Sequence, residues 1–183
     1  MALLAESLVD EWLNRQRFFT IRGVKQNLDE IDLLAVRPEV SGEILAWHIE
    51  VQVSFRPVNY MTPLTDALER KLGKRRTSAV RRSPEQVDEC TGAWMEKKFK
   101  NTKKVRLRDS IWPGLNWQYV VVHGVVKHNQ ELESISQHGA KVVPLSRVLA
   151  DLCADGFSLY TGASGGDLAD LIRYYAETSN GQT

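Results

Sequence analysis

Two carboxylates stand inside apolar runs of this chain, where a strand gains nothing by burying a charge. Asp32 lies in Glu30-Ile31-Asp32-Leu33-Leu34-Ala35-Val36, and Glu50 in His48-Ile49-Glu50-Val51-Gln52-Val53-Ser54. In both runs apolar side chains alternate with acidic or amide ones, which is the period of a β-strand. Residues 37–46 between them contain Pro38, Ser41 and Gly42, the composition of a hairpin turn. Antiparallel pairing about Ser41 makes opposed residue numbers sum to about 82 and sets Asp32 opposite Glu50, with Cβ atoms about 5 Å apart. Carboxylates at that spacing repel each other unless a cation lies between them. The chemistry open to the pair is therefore to hold one divalent cation.

Asp32 within Glu-Ile-Asp-Leu-Leu-Ala, followed by an apolar strand carrying Glu50-Val51-Gln52, resembles the D…(D/E)xK signature of the PD-(D/E)xK nuclease superfamily, which includes many restriction endonucleases and Holliday-junction resolvases. Two positions depart from it: Ile31 stands where the family name has Pro, and Gln52 where it has Lys. The resemblance implies hydrolysis of DNA phosphodiesters with Mg²⁺ (or Mn²⁺) held by Asp32 and Glu50. It also implies an acidic residue from the first helix at the site, and Glu6 is the position that corresponds, with Glu11 on the opposite border of that helix as a rival. In the family the Lys stabilises negative charge beside the attacking water. Gln52 can hydrogen-bond that water or offer its carbonyl to the metal, but it carries no charge. Some active restriction enzymes resemble this chain in having Gln there, and other members take the Lys from a neighbouring helix. Lys98 is the residue here that fits the second case. A crossover helix, however, runs back from the far end of the strand, so Lys98 is expected to lie away from the site with its stem snorkelling along apolar surface.

The elements that must position these residues follow from periodicity. Leu4, Ala5, Leu8, Val9, Trp12 and Leu13 share one helical stripe, so residues 2–15 form an amphipathic first helix. Residues 17–22 are β-rich and lead through Gly23 into a polar turn or bulge at 24–29 before the Asp32 strand. After Ser54, residues 55–63 read as a loop leaving the site end of the strand. Residues 66–82 are strongly basic and partly helical as far as Gly73. Ser83-Pro84-Glu85-Gln86 is a capped helix start, with Val87, Cys90, Thr91, Trp94 and Met95 facing inward along a helix to about residue 100. Residues 116–126 form a buried strand and 141–145 a second, followed by a helix at 146–152. Residues 162–166, with three glycines, read as a flexible lead into a last amphipathic helix with Leu168, Leu171, Ile172 and Tyr175, and residues 178–183 read as a disordered tail. This order, with right-handed parallel crossovers after the hairpins, is similar to the superfamily's αβββαβ core. The expected fold class is α/β, a restriction endonuclease-like mixed central sheet flanked by helices. One domain is expected over residues 1–160, with the C-terminal helix and tail of 161–183 belonging to it.

At 183 residues with 43% apolar and 26% charged side chains, the composition is that of one globular domain. No long apolar run spans a membrane, and the acidic, amphipathic N-terminus is no signal peptide, so a cytoplasmic location is expected. Cys90 and Cys153 are too few for a disulfide framework and have no zinc-ligand spacing. The four histidines show no ligand pattern, and the glycines at 162–166 lack phosphate-loop spacing. The net charge of +1 conceals an asymmetry, because residues 69–108 hold 14 Lys/Arg against 5 Asp/Glu. Such a patch points to a polyanion. Lys71, Lys74, Arg75, Arg76, Arg81 and Arg82 are the candidates for contact with a nucleic-acid backbone, and DNA is the expected partner. A nucleic-acid-binding module without catalysis, or an interaction protein that reuses the fold, are the other readings, and a homodimer stays open.

Overall fold

A computed structural model describes residues 2–26, 29–54, 56–154 and 164–180. Helix α1 (Ala2–Arg15) buries the predicted stripe except Leu4, which is exposed at the start of the helix. Strands β1 (Phe19–Gln26), β2 (Asp29–Pro38) and β3 (Ile44–Gln52) follow as two antiparallel hairpins. The β2–β3 register pairs Leu33 with Ile49, Leu34 with His48 and Ala35 with Trp47, which is the pairing about Ser41 that the turn residues predict. Strand β4 (Trp117–His123) then lies parallel to β3, and β5 (Ala140–Pro144) parallel to β4. The result is a five-stranded mixed sheet in the order β1-β2-β3-β4-β5. The chain is α/β, with helices packed on both sides of this sheet.

Period-two alternation divides the core. Leu33, Ala35, Trp47, Ile49, Val51, Val120 and Val122 pack with α1, α6 (Leu145–Cys153) and Ala169 of α7 (Ser164–Asn180). On the other face Val121, Tyr119 and Val142 meet Trp94 and Met95 of α3 (Pro84–Met95), Phe99, and Ile135 of α5 (Asn129–Gln137). Leu107 of α4 (Thr102–Ile111) closes that face against Ile31 and Leu34. A short helix, α2 (Asp66–Leu72), is capped by the Thr65 hydroxyl and ends at Gly73, whose φ of 60° suits glycine. The predicted capping box of Ser83 and Gln86 opens α3. All five inward positions expected on α3 are buried.

Several sequence expectations need correction. β1 runs on through Val24 and Lys25, which pair with Ile31 and Glu30, instead of turning at 24. Helix α3 gives way at Glu96–Lys100 to a π-helical turn, and a separate helix α4 follows. The glycines of 162–166 do not form a flexible lead within the described residues: Gly165 and Gly166 belong to α7, and a Cβ on Gly165 would collide with the Ser7 carbonyl. Small size there lets α7 approach α1 closely. The expected disorder at 178–183 is overturned for Thr178–Asn180, which continue α7; Gly162, Ala163 and 181–183 lie outside the described residues. Among the described residues no helix is long and apolar enough to cross a membrane.

Candidate active site

Glu50 sits at the centre of a cationic enclosure. Its side chain is fully buried, and both oxygens are paired: Lys98 Nζ lies 2.5 Å from Oε2, and Lys104 Nζ 3.5 Å from Oε1. Lys104 donates to the Glu30 carbonyl as well, tying α4 to β2. His48, two residues back on the same strand face, points Nε2 at Glu50 Oε1, 3.4 Å away. Its other ring nitrogen, Nδ1, is 2.7 Å from an Arg108 nitrogen that also donates to the Phe99 carbonyl. A guanidinium can only donate, so Nδ1 is the acceptor and the His48 proton resides on Nε2, facing Glu50. Burial first, then the charges of Arg108, Lys104 and Lys98, hold His48 well below the usual imidazole range and keep it neutral.

Asp32 occupies the point where β2 and β3 part. The backbone ladder ends at Leu33 and Ile49, and the next β3 amide directed at β2, that of Val51, donates 2.8 Å to Asp32 Oδ2 instead. The carboxyl is pushed up to about 6, by burial first and by the Glu50 charge second, against the Val51 amide and the two lysines. Asp32 thus lies within the field of Glu50, but the direct pairing expected between them is not formed, because the β2–β3 ladder stops one residue short at Leu33 and Ile49. Glu6 lies within the field of the same carboxylates. Burial, then the charges of Asp32 and Glu30, raise its carboxyl above the usual range. Its rival Glu11 faces elsewhere, fully buried and 2.7 Å from Arg15.

Lys98 is the main correction to the sequence reading. A straight helix from 84 to 100 would carry it away from Glu50, yet the structure sets it directly on Oε2. The return journey to the start of β4 is made by α4, not α3, so α3 ends beside the site. The π-helical turn at Glu96–Lys100 then presents Lys98 to Glu50 while Phe99 is fully buried. Such turns shift side-chain direction by one residue's angle and recur at functional positions. Burial works to lower the Lys98 ammonium, but the Glu50 charge and hydrogen bond outweigh it and hold it above the usual lysine range. Gln52 and Lys98 both line a cleft of about 330 Å³ with Thr65, Arg76, Trp94 and Lys97. The cleft therefore carries a net positive lining.

The basic segment is divided between surface and interior. Lys71, Lys74, Arg75 and Arg81 are exposed, and Arg76 is exposed but paired with Asp66 at 2.8 Å. Arg82, expected with them on the surface, is buried and donates to Thr62. Lys104 and Arg108 are buried too, so part of the positive excess serves the site's internal carboxylate. Lys25 is exposed and pairs with Glu30. Sequence reading missed His48, Lys104 and Arg108. Their signals were present: His48 precedes Glu50 by the strand period, and Lys104, Leu107, Arg108 and Ile111 repeat at helical spacing.

No family model matches the chain, and no curated protein matches it. Among solved structures it is similar to a crystal structure of a protein of unknown function, AF1548, at 13% identity over 100% of both chains with a TM-score of 0.46.

Proposed function

We propose that this chain is a Mg²⁺- or Mn²⁺-dependent nuclease that hydrolyses DNA phosphodiesters on a restriction endonuclease-like core. The observation that carries the reading is the convergence of Asp32, Glu50 and Lys98 at the parting of β2 and β3. Among the described residues no group of three or more His, Cys, Asp or Glu side chains is set to hold a metal ion. The residues fit a magnesium ion of the kind that takes one or two carboxylates and fills its shell with water and substrate phosphate. Among the described residues Asp32 Oδ1 has no hydrogen-bond partner, and burial first, then the Glu50 charge, raise its carboxyl, a balance that a bound cation would reverse. Asp32 and Glu50 would hold the ion, which lowers the pKa of bound water and offsets phosphate charge. Lys98 supplies a mobile ammonium beside Gln52, where negative charge develops on the attacked phosphate. Gln52 orients the water, and His48 and Arg108 fix the direction of Glu50. Lys71, Lys74, Arg75 and Arg81 bind the backbone.

A second reading is favoured by one feature, the closure of both Glu50 oxygens by lysines: the same fold as a nucleic-acid-binding module without catalysis. Supercoiled plasmid incubated with Mg²⁺ or Mn²⁺ separates the two. Relaxation by the wild type, abolished by chelation and by Glu50→Gln, is the expected result. Inert behaviour of the wild type with both metals on linear, nicked and branched DNA, with binding intact, overturns the nuclease reading in favour of the module.

A further inference from the structure

Arg82 is a buried cation that lacks an anion. It is 5% exposed and donates through one terminal nitrogen to the Thr62 carbonyl and hydroxyl at 2.9 and 3.3 Å. Its Nε is buried without a hydrogen-bond partner, and among the described residues no carboxylate pairs with it. The nearby carboxylate of Glu131 is engaged by the Met61 and Thr62 amides and the Thr62 hydroxyl. A guanidinium withdrawn from water without a counter-charge is costly to a fold. It is understandable where a ligand supplies that charge.

The surroundings of Arg82 form a cavity of about 380 Å³. Asn59, Tyr60, Thr62, Thr77 and Ser78 line it with Arg82, and no acidic residue does. The Tyr60 ring is already stacked on His128 with centroids 4.8 Å apart and lies 4.0 Å beneath the guanidinium carbon. That ring is therefore engaged, and the cavity offers a base little to stack on. What it offers is one fixed charge with the Asn59 amide and the Thr77 and Ser78 hydroxyls able to donate, the Thr62 hydroxyl being spent on Glu131, and these are donors suited to a tetrahedral oxyanion. Exposed Lys74, Arg75 and Arg81 on the adjoining loop raise the local concentration of such an anion. Met61 and Pro63 line both this cavity and the cleft of Gln52 and Lys98, so one short segment divides the two.

We infer that the cavity closed by Arg82 is a phosphate-binding site, separate from the Asp32–Glu50 centre. It does not rest on the nuclease reading, because phosphate binding here needs neither metal nor cleavage. The phosphate belongs either to a polynucleotide backbone or to a terminal or free nucleotide. Titration calorimetry and thermal melting with inorganic phosphate, a nucleoside 5′-monophosphate, and short oligonucleotides with and without a 5′-phosphate test the inference. Asn59→Asp and Ser78→Asp place a negative charge in the lining without removing Arg82 from its packing, and Asp at 78 keeps an acceptor for the Val80 amide. Each is expected to weaken inorganic phosphate binding by about tenfold or more and to melt no lower than the wild type. A tighter complex with the 5′-phosphorylated strand identifies a terminal phosphate. Equal binding of both strands, weakened together by the two variants, identifies a backbone phosphate. Absence of phosphate binding by the wild type, or binding that both variants leave unchanged, overturns the site. Plasmid relaxation is scored separately, so its failure leaves these outcomes readable.

Discussion

Asp32→Asn is expected to make the protein more stable while it removes the proposed activity. A carboxyl held near 6 instead of in the usual range near 3.8 costs the folded state about 3 kcal/mol once the pH exceeds both values. The sign follows from proton binding. Between about pH 4 and 6 the folded protein holds the Asp32 proton more tightly than the unfolded chain, so this residue's contribution falls as pH rises and stays low above pH 6. Asn keeps an acceptor for the Val51 amide and has no charge to repel Glu50. The gain over wild type should therefore be small near pH 4, grow through pH 6, and level off at about 3 kcal/mol, or roughly 6–12 °C in melting temperature. His48 acts in the opposite sense, since a buried neutral imidazole lowers stability on acidification, but both proteins carry it and it cancels in the difference. Urea denaturation of the two proteins at a series of pH values measures the gain. Mg²⁺ should then raise the wild-type midpoint and leave that of Asp32→Asn unmoved. A variant less stable than wild type at pH 8, or a gain independent of pH, would refute the reasoning about the Asp32–Glu50 pair.

Lys98→Met should abolish relaxation of plasmid, and adding Gln52→Lys to it should restore part of the activity, because the ammonium returns to the same cleft from the strand. Replacing Lys74, Arg75 and Arg81 by Ala should weaken binding to all DNA sequences alike and reduce the slope of log affinity against log salt by about 0.9 for each phosphate that is no longer neutralised; unchanged affinity at low salt would remove the loop from the interface. Gly124→Ala should lower the urea midpoint by about 1–3 kcal/mol of stability, since a Cβ there would sit 2.5 Å from the Ser54 carbonyl and press on the chain just beyond Gln52.

Those parts of the fold governed by local pattern were legible in the sequence. The β2–β3 register follows from Ser41 and Gly42 with alternation on either side, and a shift of one residue would turn Leu33 and Ile49 out of the core. The capping box at Ser83 and the glycine stop at Gly73 are local chemistry, and the structure has both. What was lost lies in the crossover from β3 to β4. Residues 101–115 contain Lys103, Lys104, Arg106 and Arg108 with few apolar positions, so α4 has a weak amphipathic signal. Two of its cations are buried because Glu50 and His48, distant in sequence, receive them. Helix α5 was missed too, although two parallel neighbours, β4 and β5, demand a connection of its kind. Arg82 was misplaced for the same reason as Lys104: a cation in a basic run gives no local sign that its partner is a ring and a carbonyl inside the protein.

Under the proposed nuclease reading, the position of Lys98 would let a chain with Gln52 keep the motif's positive charge. An ammonium on β3 itself would point from the strand at a fixed height, two residues beyond Glu50. One carried by the π-helical turn reaches Glu50 from the helix side of the strand and pairs with the carboxylate proposed to hold the metal. Lys104 and the His48–Arg108 pair hold the other oxygen, so Glu50 would stay compensated and oriented were Lys98 to leave it. Breaking a buried pair usually leaves a stranded charge that costs several kcal/mol. Here Lys98 remains about a quarter exposed and faces the cleft, so the freed ammonium meets water or a phosphate instead of apolar walls. Removing Lys98 from Oε2 would therefore cost this site less than removing Lys104 or Arg108, which are both buried.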